Sequence, residues 1–244
     1  MKKILILSVI VFSITNLIRA ADEKYYYSVS YLGIPVTSVK VEINKDEALQ
    51  NITAHATSKG IASAFFKVDN EYTTFCDSTY RPYLFKKSVT QQNLKDYKTI
   101  NFRSGKNLIN VKNSFTKSGE FEFQTKETIY DLISFSFAAA HKDSSKKSFS
   151  VISDFDVWNF ELISMGDEYI STTGKKYICD KYRVKMTKII DNAVAAPTDV
   201  LTNNLFGENN KLYIWYSADK TKIPVKMKFK KFLFNVVLML QNTN

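Results

Sequence analysis

The chain has 244 residues, with 34 lysines and arginines against 24 aspartates and glutamates, a formal net charge of +10, two histidines and two cysteines. Two histidines far apart in sequence argue against a zinc site or a catalytic triad, and two cysteines exclude a disulfide-dense scaffold. The basic residues are spread along the chain rather than clustered, and together with an export signal that argues against nucleic acid as a partner.

The first twenty residues, MKKILILSVIVFSITNLIRA, set Lys2 and Lys3 before an apolar run from Ile4 to Ile18 and close on Ala20. This is the layout of a secretory signal, whose apolar run is shorter than a membrane span needs. Its removal lowers the charge by three to +7, and no cysteine follows it to carry a lipid anchor. Residues 21–244 contain no linker-like tract and read as a single β-rich domain.

Period-two alternation, the mark of a strand with one buried and one wet face, starts at once. Tyr25, Tyr27, Val29 and Tyr31 share one face. Val39, Val41 and Ile43 interleave with Lys40, Glu42 and Asn44. Ile52, Ala54 and Ala56 alternate with a polar set that includes His55. A short helix is expected over Ile61–Phe66, after Gly60. Further strands are expected at Glu71–Cys76, Tyr83–Thr90, Thr99–Phe102, Leu108–Val111 and Phe121–Gln124. Turn signals fall at Arg81-Pro82, Ser104-Gly105 and Ser118-Gly119.

The stretch ETIYDLISFSFAAAHKD, Glu127 to Asp143, breaks this pattern. At about 100° per residue, Ile129, Leu132, Ile133, Ser136, Ala139 and Ala140 share a face flanked by Phe135 and Phe137, with Asp131, Ser134, His141 and Lys142 opposite. Thr128 can cap such a helix, with Asp131 three residues later. The apolar arc of roughly 220° is about twice the stripe of an ordinary surface helix. The helix is therefore either a plug in the core or a lid over an apolar cavity.

Strands resume at Phe149–Ile152, Val157–Ile163, Tyr177–Met186, Leu212–Tyr216, Val225–Lys230 and Phe232–Leu240, with Asp191–Asn210 expected as a long surface loop. Asp154 and Asp156, at i and i+2 in a turn, read as solvated turn residues rather than an acid–base pair. Trp158 and Trp215 lie in strand runs and suit a core or a ligand cavity. Lys226, Lys228 and Lys230 form one polar stripe, either solvated or facing an anionic surface such as a membrane. Cys76 and Cys179 stand in separate strands, and the sequence leaves open whether they bridge. No G-x-S-x-G elbow, H-E-x-x-H helix, C-x-x-C pair or phosphate-binding glycine loop occurs. No catalytic residue, metal or cofactor is expected, and the chain reads as a non-enzyme.

Three segments, HATSKGIASAFFKVDNEYTTFCDSTYRPYLF, TIYDLISFSFAAA and LYIWYSADKTKIPVKMKF, resemble in order and spacing a bacterial envelope family catalogued as domain of unknown function 3108. The opening YYYSVSYLGIPVTSVKVEI fits the start of that family, with Tyr31, Gly33 and Ile34 in its tyrosine-x-glycine-isoleucine pattern. Lys222 stands where the family's arginine is expected, and Lys231-Phe232 where a glycine is. The resemblance implies an exported, soluble, periplasmic protein with no assigned activity. Its layout also looks like the half-open barrels of periplasmic lipoprotein carriers, an analogy of fold alone.

The expected fold is mainly β: an antiparallel curved sheet, a half-open barrel or a sandwich, with one short and one longer helix packed on or in it. The leading functional expectation is a carrier of an apolar ligand such as a lipid or lipoprotein moiety. Its cavity would be lined by Ile61, Phe65, Phe66, Ile129, Leu132, Ile133, Phe135, Phe137, Trp158 and Trp215. The rivals are a structural or partner-binding envelope module with a filled core, and an outer-membrane barrel.

Overall fold

The computed structural model describes residues 23–46, 49–60, 62–92, 94–103, 108–113, 120–124, 127–141, 148–191, 199, 201–231 and 234–243. The expected signal segment, Ile61 and Phe232 lie outside these residues, as do 192–198 and 200 of the expected loop.

Among the described residues, fifteen strands and two α-helices follow in chain order: β1 Glu23–Tyr31, β2 Ile34–Lys45, β3 Leu49–Ser58, α1 Ala62–Phe65, β4 Val68–Asp77, β5 Pro82–Gln91, β6 Leu94–Arg103, β7 Leu108–Asn113, β8 Glu120–Gln124, β9 Ile129–Tyr130, α2 Leu132–His141, β10 Ser148–Ser153, β11 Asp156–Ser171, β12 Lys176–Ile190, β13 Lys211–Ser217, β14 Pro224–Lys231 and β15 Phe234–Thr243. All fifteen strands form one sheet in the order β8-β7-β6-β5-β4-β3-β2-β1-β15-β14-β13-β12-β11-β10-β9. Two up-and-down meanders are thus joined through an antiparallel β1–β15 pair that runs from Tyr25↔Thr243 to Tyr31↔Val236. The free edges are β8 and β9, which are neighbours in sequence but not in the ladder.

Alternation decides which face turns inward. In β4 the buried residues are Val68, Asn70, Tyr72, Thr74 and Cys76; in β1 they are Tyr25, Tyr27 and Val29. β11 and β12 extend well beyond the expected Val157–Ile163 and Tyr177–Met186. Their ladder skips between Ser164 and Asp167, where Gly166 takes φ +81°, a bulge that bends the long hairpin. The sheet curls around α2, which packs against β3, β4, β9, β10 and β14 and so touches both meanders.

The second helix starts later than expected and is capped by a different residue. Ile129 and Tyr130 pair with β10 in parallel as β9, and α2 makes the crossover between these two strands. Asp131, not Thr128, is the cap. Its Oδ1 accepts from the backbone N–H of Ile133 at 2.9 Å and of Ser134 at 3.0 Å. Asp131 and Ser134, expected on the wet face, are both buried. Thr74 and the Ser134 hydroxyl also donate to the Asp131 carboxylate, at 2.9 and 2.8 Å, so the buried acid is satisfied on every side.

One end of the barrel gathers four connections. The β1–β2 turn is tied to the β14–β15 hairpin by Leu32 N–H donating to Asn235 O at 3.0 Å. Lys59 N–H donates to Val36 O at 2.9 Å, and Gln92 donates from its backbone to Lys67 O and from its side chain to Phe65 O. These bonds bring the β1–β2, β3–β4, β5–β6 and β14–β15 connections together, with α1 lying against β2.

Candidate functional site

The densest polar chemistry of the interior joins the two meanders across the barrel. Lys87 of β5 and Lys98 of β6 point inward, 5% and 1% exposed. Asp154, in the β10–β11 turn with φ +45°, pairs with Lys98 and lies 3.3 Å from Lys87. Asp199, from the segment between β12 and β13, lies 3.1 Å from Lys87. It also accepts from the Tyr72 hydroxyl at 2.9 Å, Gln91 Nε2 at 2.9 Å and the Thr202 hydroxyl at 2.6 Å. Two lysines of one meander thus meet two carboxylates of the other.

Burial alone would raise both carboxyls, but the lysine charges override it and hold Asp154 and Asp199 below the ordinary carboxylate range. Burial pushes the Lys98 ammonium down, and Asp154 offsets only part of that; at Lys87 the two aspartates win and the shift is upward. Lys87, Asp154 and Asp199 are each held toward the charged form by a fixed partner. Such a cluster fastens strands of the two meanders to each other. Among the described residues, no group of three or more histidine, cysteine or carboxylate side chains could hold a metal.

Beside this cluster is a cavity of about 30 Å³ bordered by Phe85, Ile100, Leu132, Ile133, Ile152 and Phe206, with Lys87, Lys98 and Asp154 at its polar side. That volume suits one or two waters and no lipid chain.

The residues expected to line an apolar cavity divide into groups. Ile129, Phe135, Phe137 and Trp158 are buried inside the barrel, with Leu132 and Ile133 partly buried beside them. Phe135 is fully enclosed, edge-on to Phe149 and Phe160 with centroids 5.4 and 5.1 Å away. Phe137 meets Tyr25 and Tyr80 at 6.3 and 5.8 Å, and Trp158 lies 6.0 Å from Phe206. These are core contacts, and those of Phe135 and Phe137 tie the helix to both meanders. Phe65 corrects the expectation: it is 78% exposed at the barrel end, because the four-residue α1 lies outside the sheet rather than within it. Phe66 beside it is partly buried, and Ile61 lies outside the described residues.

Trp215 also departs from the expected lining. Leu212 and Ile214 face inward, so the intervening Tyr213 and Trp215 occupy the outer face. There the ammoniums of Lys181 and Lys226 lie over the indole, 5.1 and 4.7 Å from its centre, and Glu168 accepts its N–H at 3.0 Å. The lysine stripe shares this face: Lys226 and Lys228 are half-buried and Lys230 is exposed. Desolvation and the charges of Lys230, Lys226 and Lys181 together lower the Lys228 ammonium. Cys76 and Cys179 are buried and free, on strands with six others between them in the sheet, and burial pushes both thiols up to about 12.

The interior ion cluster went unseen in the sequence. Asp154, read as a solvated turn residue, is partly buried against two lysines, and Asp199 is 1% exposed in a segment read as surface loop. A usable signal exists in the strands: Lys87 shares its register with Phe85 and Val89, and Lys98 with Ile100 and Phe102. A lysine in step with the apolar set of a strand points inward. Nothing local marks the aspartates that meet them.

Comparison with known proteins places these observations. The family described as "Protein of unknown function (DUF3108)" matches residues 26–241. A comparison with curated proteins finds no match. Among solved structures, a β-barrel-like protein of the family of unknown function DUF1849 from Brucella abortus is similar in fold. It has a TM-score of 0.57 and 11% identity, over 93% of this chain and 98% of that one. A protein from Parabacteroides distasonis, named a "putative lipoprotein", gives 0.41 at 8% identity, over 93% and 96% of the two chains. A Bacteroides fragilis protein, named a "putative exported protein" with a YmcC-like fold, gives 0.40 at 9%, over 91% and 95%.

Proposed function

Taking as premise that this chain belongs to the family of unknown function DUF3108, we propose that it is an exported, non-catalytic barrel of the bacterial envelope that works through its outer surface. The observation that carries this reading is the enclosure of α2. Phe135 is fully buried, Phe137 and Ala138 nearly so, and Ser134 and Ser136 on the intervening faces are buried as well. Leu132, Ile133, Ala139 and Ala140 on the remaining side are partly buried against the same core, so the helix sends its two phenylalanines into the barrel as a plug does. The cavity beside it is an order of magnitude smaller than the ~300 Å³ at which ligand pockets begin. The signal-like leader supports export, and among the described residues no helix is long and apolar enough to cross a membrane.

Native mass spectrometry on protein purified from the envelope fraction without detergent tests the reading. The expected result is the bare polypeptide mass in every preparation. A reproducible stoichiometric lipid would restore the carrier reading and remove this one.

A further inference from the structure

We propose that the end of the barrel carrying the β1–β2 turn is a docking surface for an anionic lipid bilayer, with an apolar tip entering the interface and a ring of lysines meeting the headgroups. This rests on the surface-acting reading above.

The tip consists of Leu32, Ile34 and Pro35 of the β1–β2 hairpin and Phe65 of α1. Leu32, Ile34 and Phe65 are 58%, 65% and 78% exposed, and Pro35 is exposed beside them. The hydrogen bonds among the end connections, and the contact of α1 with β2, fix these residues to one end of the molecule. Scattered exposed apolar residues are ordinary, whereas several gathered at one end need an account.

Leu32 gives that account its second observation. It occupies the first position of the two-residue turn with φ +49°, ahead of Gly33 at +86°. Asparagine or glycine adopts this conformation with least strain; leucine does so at a cost. A leucine more than half exposed there gains neither burial nor backbone ease within the folded chain. An apolar medium outside the barrel supplies what the fold does not.

Charge complementarity selects that medium. Lys59, Lys67, Lys230 and Lys231 are all exposed around this end, and among the described residues none has a carboxylate within ion-pair distance. The nearby Asp69 carboxylate is engaged by His55 at 2.7 Å. Asp156, Asp191 and Glu208, at the same end, are engaged by Lys188, the first two by its ammonium at 2.9 and 3.4 Å and the third by its backbone N–H at 3.4 Å. An apolar tip ringed by unpaired lysines matches a membrane interface, where acyl chains and anionic headgroups lie within a few ångströms of one another. Lys230 also extends the stripe of Lys226 and Lys228 to the rim, which gives the outer face a continuous basic flank.

Vesicle flotation of the folded protein tests this directly. The wild type is expected to float with vesicles holding about 30% phosphatidylglycerol, to lose much of that binding in high salt, and to stay behind with pure phosphatidylcholine. The paired variant Ile34→Ser with Phe65→Ser should weaken binding roughly ten-fold or more. Lys230→Glu with Lys231→Glu should weaken it similarly and flatten its salt dependence. All four residues are exposed, so the melting temperature should stay close to that of the wild type and confirm folding. Failure to float on anionic vesicles, or flotation that neither variant alters, overturns the proposal. So does a dimer in light scattering that Ile34→Ser with Phe65→Ser dissociates while flotation is unchanged, since the tip would then seat a second copy. Native mass spectrometry reads the interior and flotation reads the end, so the two readings can fail separately.

Discussion

Lys98 places an ammonium in the interior of the barrel at 1% exposure, with Asp154 against it and the Phe155 ring 4.7 Å away. Breaking one partner of a buried pair leaves an uncompensated charge. Lys98→Met should therefore cost about 3 kcal/mol in urea denaturation, although Asp154 keeps Lys87. Asp154→Asn tolerates the left-handed backbone but strands Lys98 in the same way. The two changes combined should cost less than their sum, a coupling that a double-mutant cycle reads. Additive losses would mean that the two side chains do not act as a pair. The pH dependence has a definite sign. Asp154 and Asp199 are held low in the folded chain, so their contribution is fully present above the ordinary carboxylate pKa of about 4 and is lost as pH falls through their lowered values. Stability should fall in acid, and Asp154→Asn should flatten that limb. An identical acid limb in the variant would assign it to other groups.

Among the elements, α2 carries the most weight per residue. Phe135→Ala removes a fully enclosed ring that meets β10 through Phe149 and β11 through Phe160. It should cost about 3–5 kcal/mol, whereas Phe65→Ala on the exposed α1 should stay within about 0.5 kcal/mol. Equal effects on the two would contradict the plug. The contrast also shows what could be read from sequence. The strands were legible because period-two alternation is strong in runs such as Tyr25 to Tyr31 and Ile52 to Ala56, where each inward side chain is apolar. The helix was legible from its wide apolar arc. Its cap was not, because Thr128 and Asp131 both fit a helix start and only the two-residue pairing of Ile129 and Tyr130 with β10 decides between them. The same limit applies to Asp154 and Asp199. An aspartate in a turn or connection is wet by default, and only the lysines arriving from β5 and β6 make it buried.

At the scale of the whole molecule, the sheet begins and ends in its own middle. β1 and β15 are hydrogen-bonded neighbours, while the consecutive strands β8 and β9 form the two edges. Across the barrel interior, charge also joins the two meanders: Lys87 and Lys98 from one side hold Asp154 and Asp199 from the other. The fold therefore relies on two different fastenings between its halves, a backbone ladder between its terminal strands and an ion cluster that crosses its interior. The second is sensitive to acid, and the first is indifferent to it.

The β1–β15 ladder has a further consequence, for the order in which the chain is written. Tyr25 lies opposite Thr243, so a short flexible linker could join Thr243 to Glu23, and new ends could be opened between Gln124 and Glu127, where no ladder would be cut. The resulting circular permutant would list its strands almost as the sheet does. The pairing that now joins opposite ends of the sequence would become a local hairpin, and folding rates rise as contacts become local. Such a permutant is expected to keep the native circular dichroism spectrum and to refold faster than the natural order in stopped-flow mixing. Slower refolding would mean that the terminal pairing is not what limits assembly of the barrel.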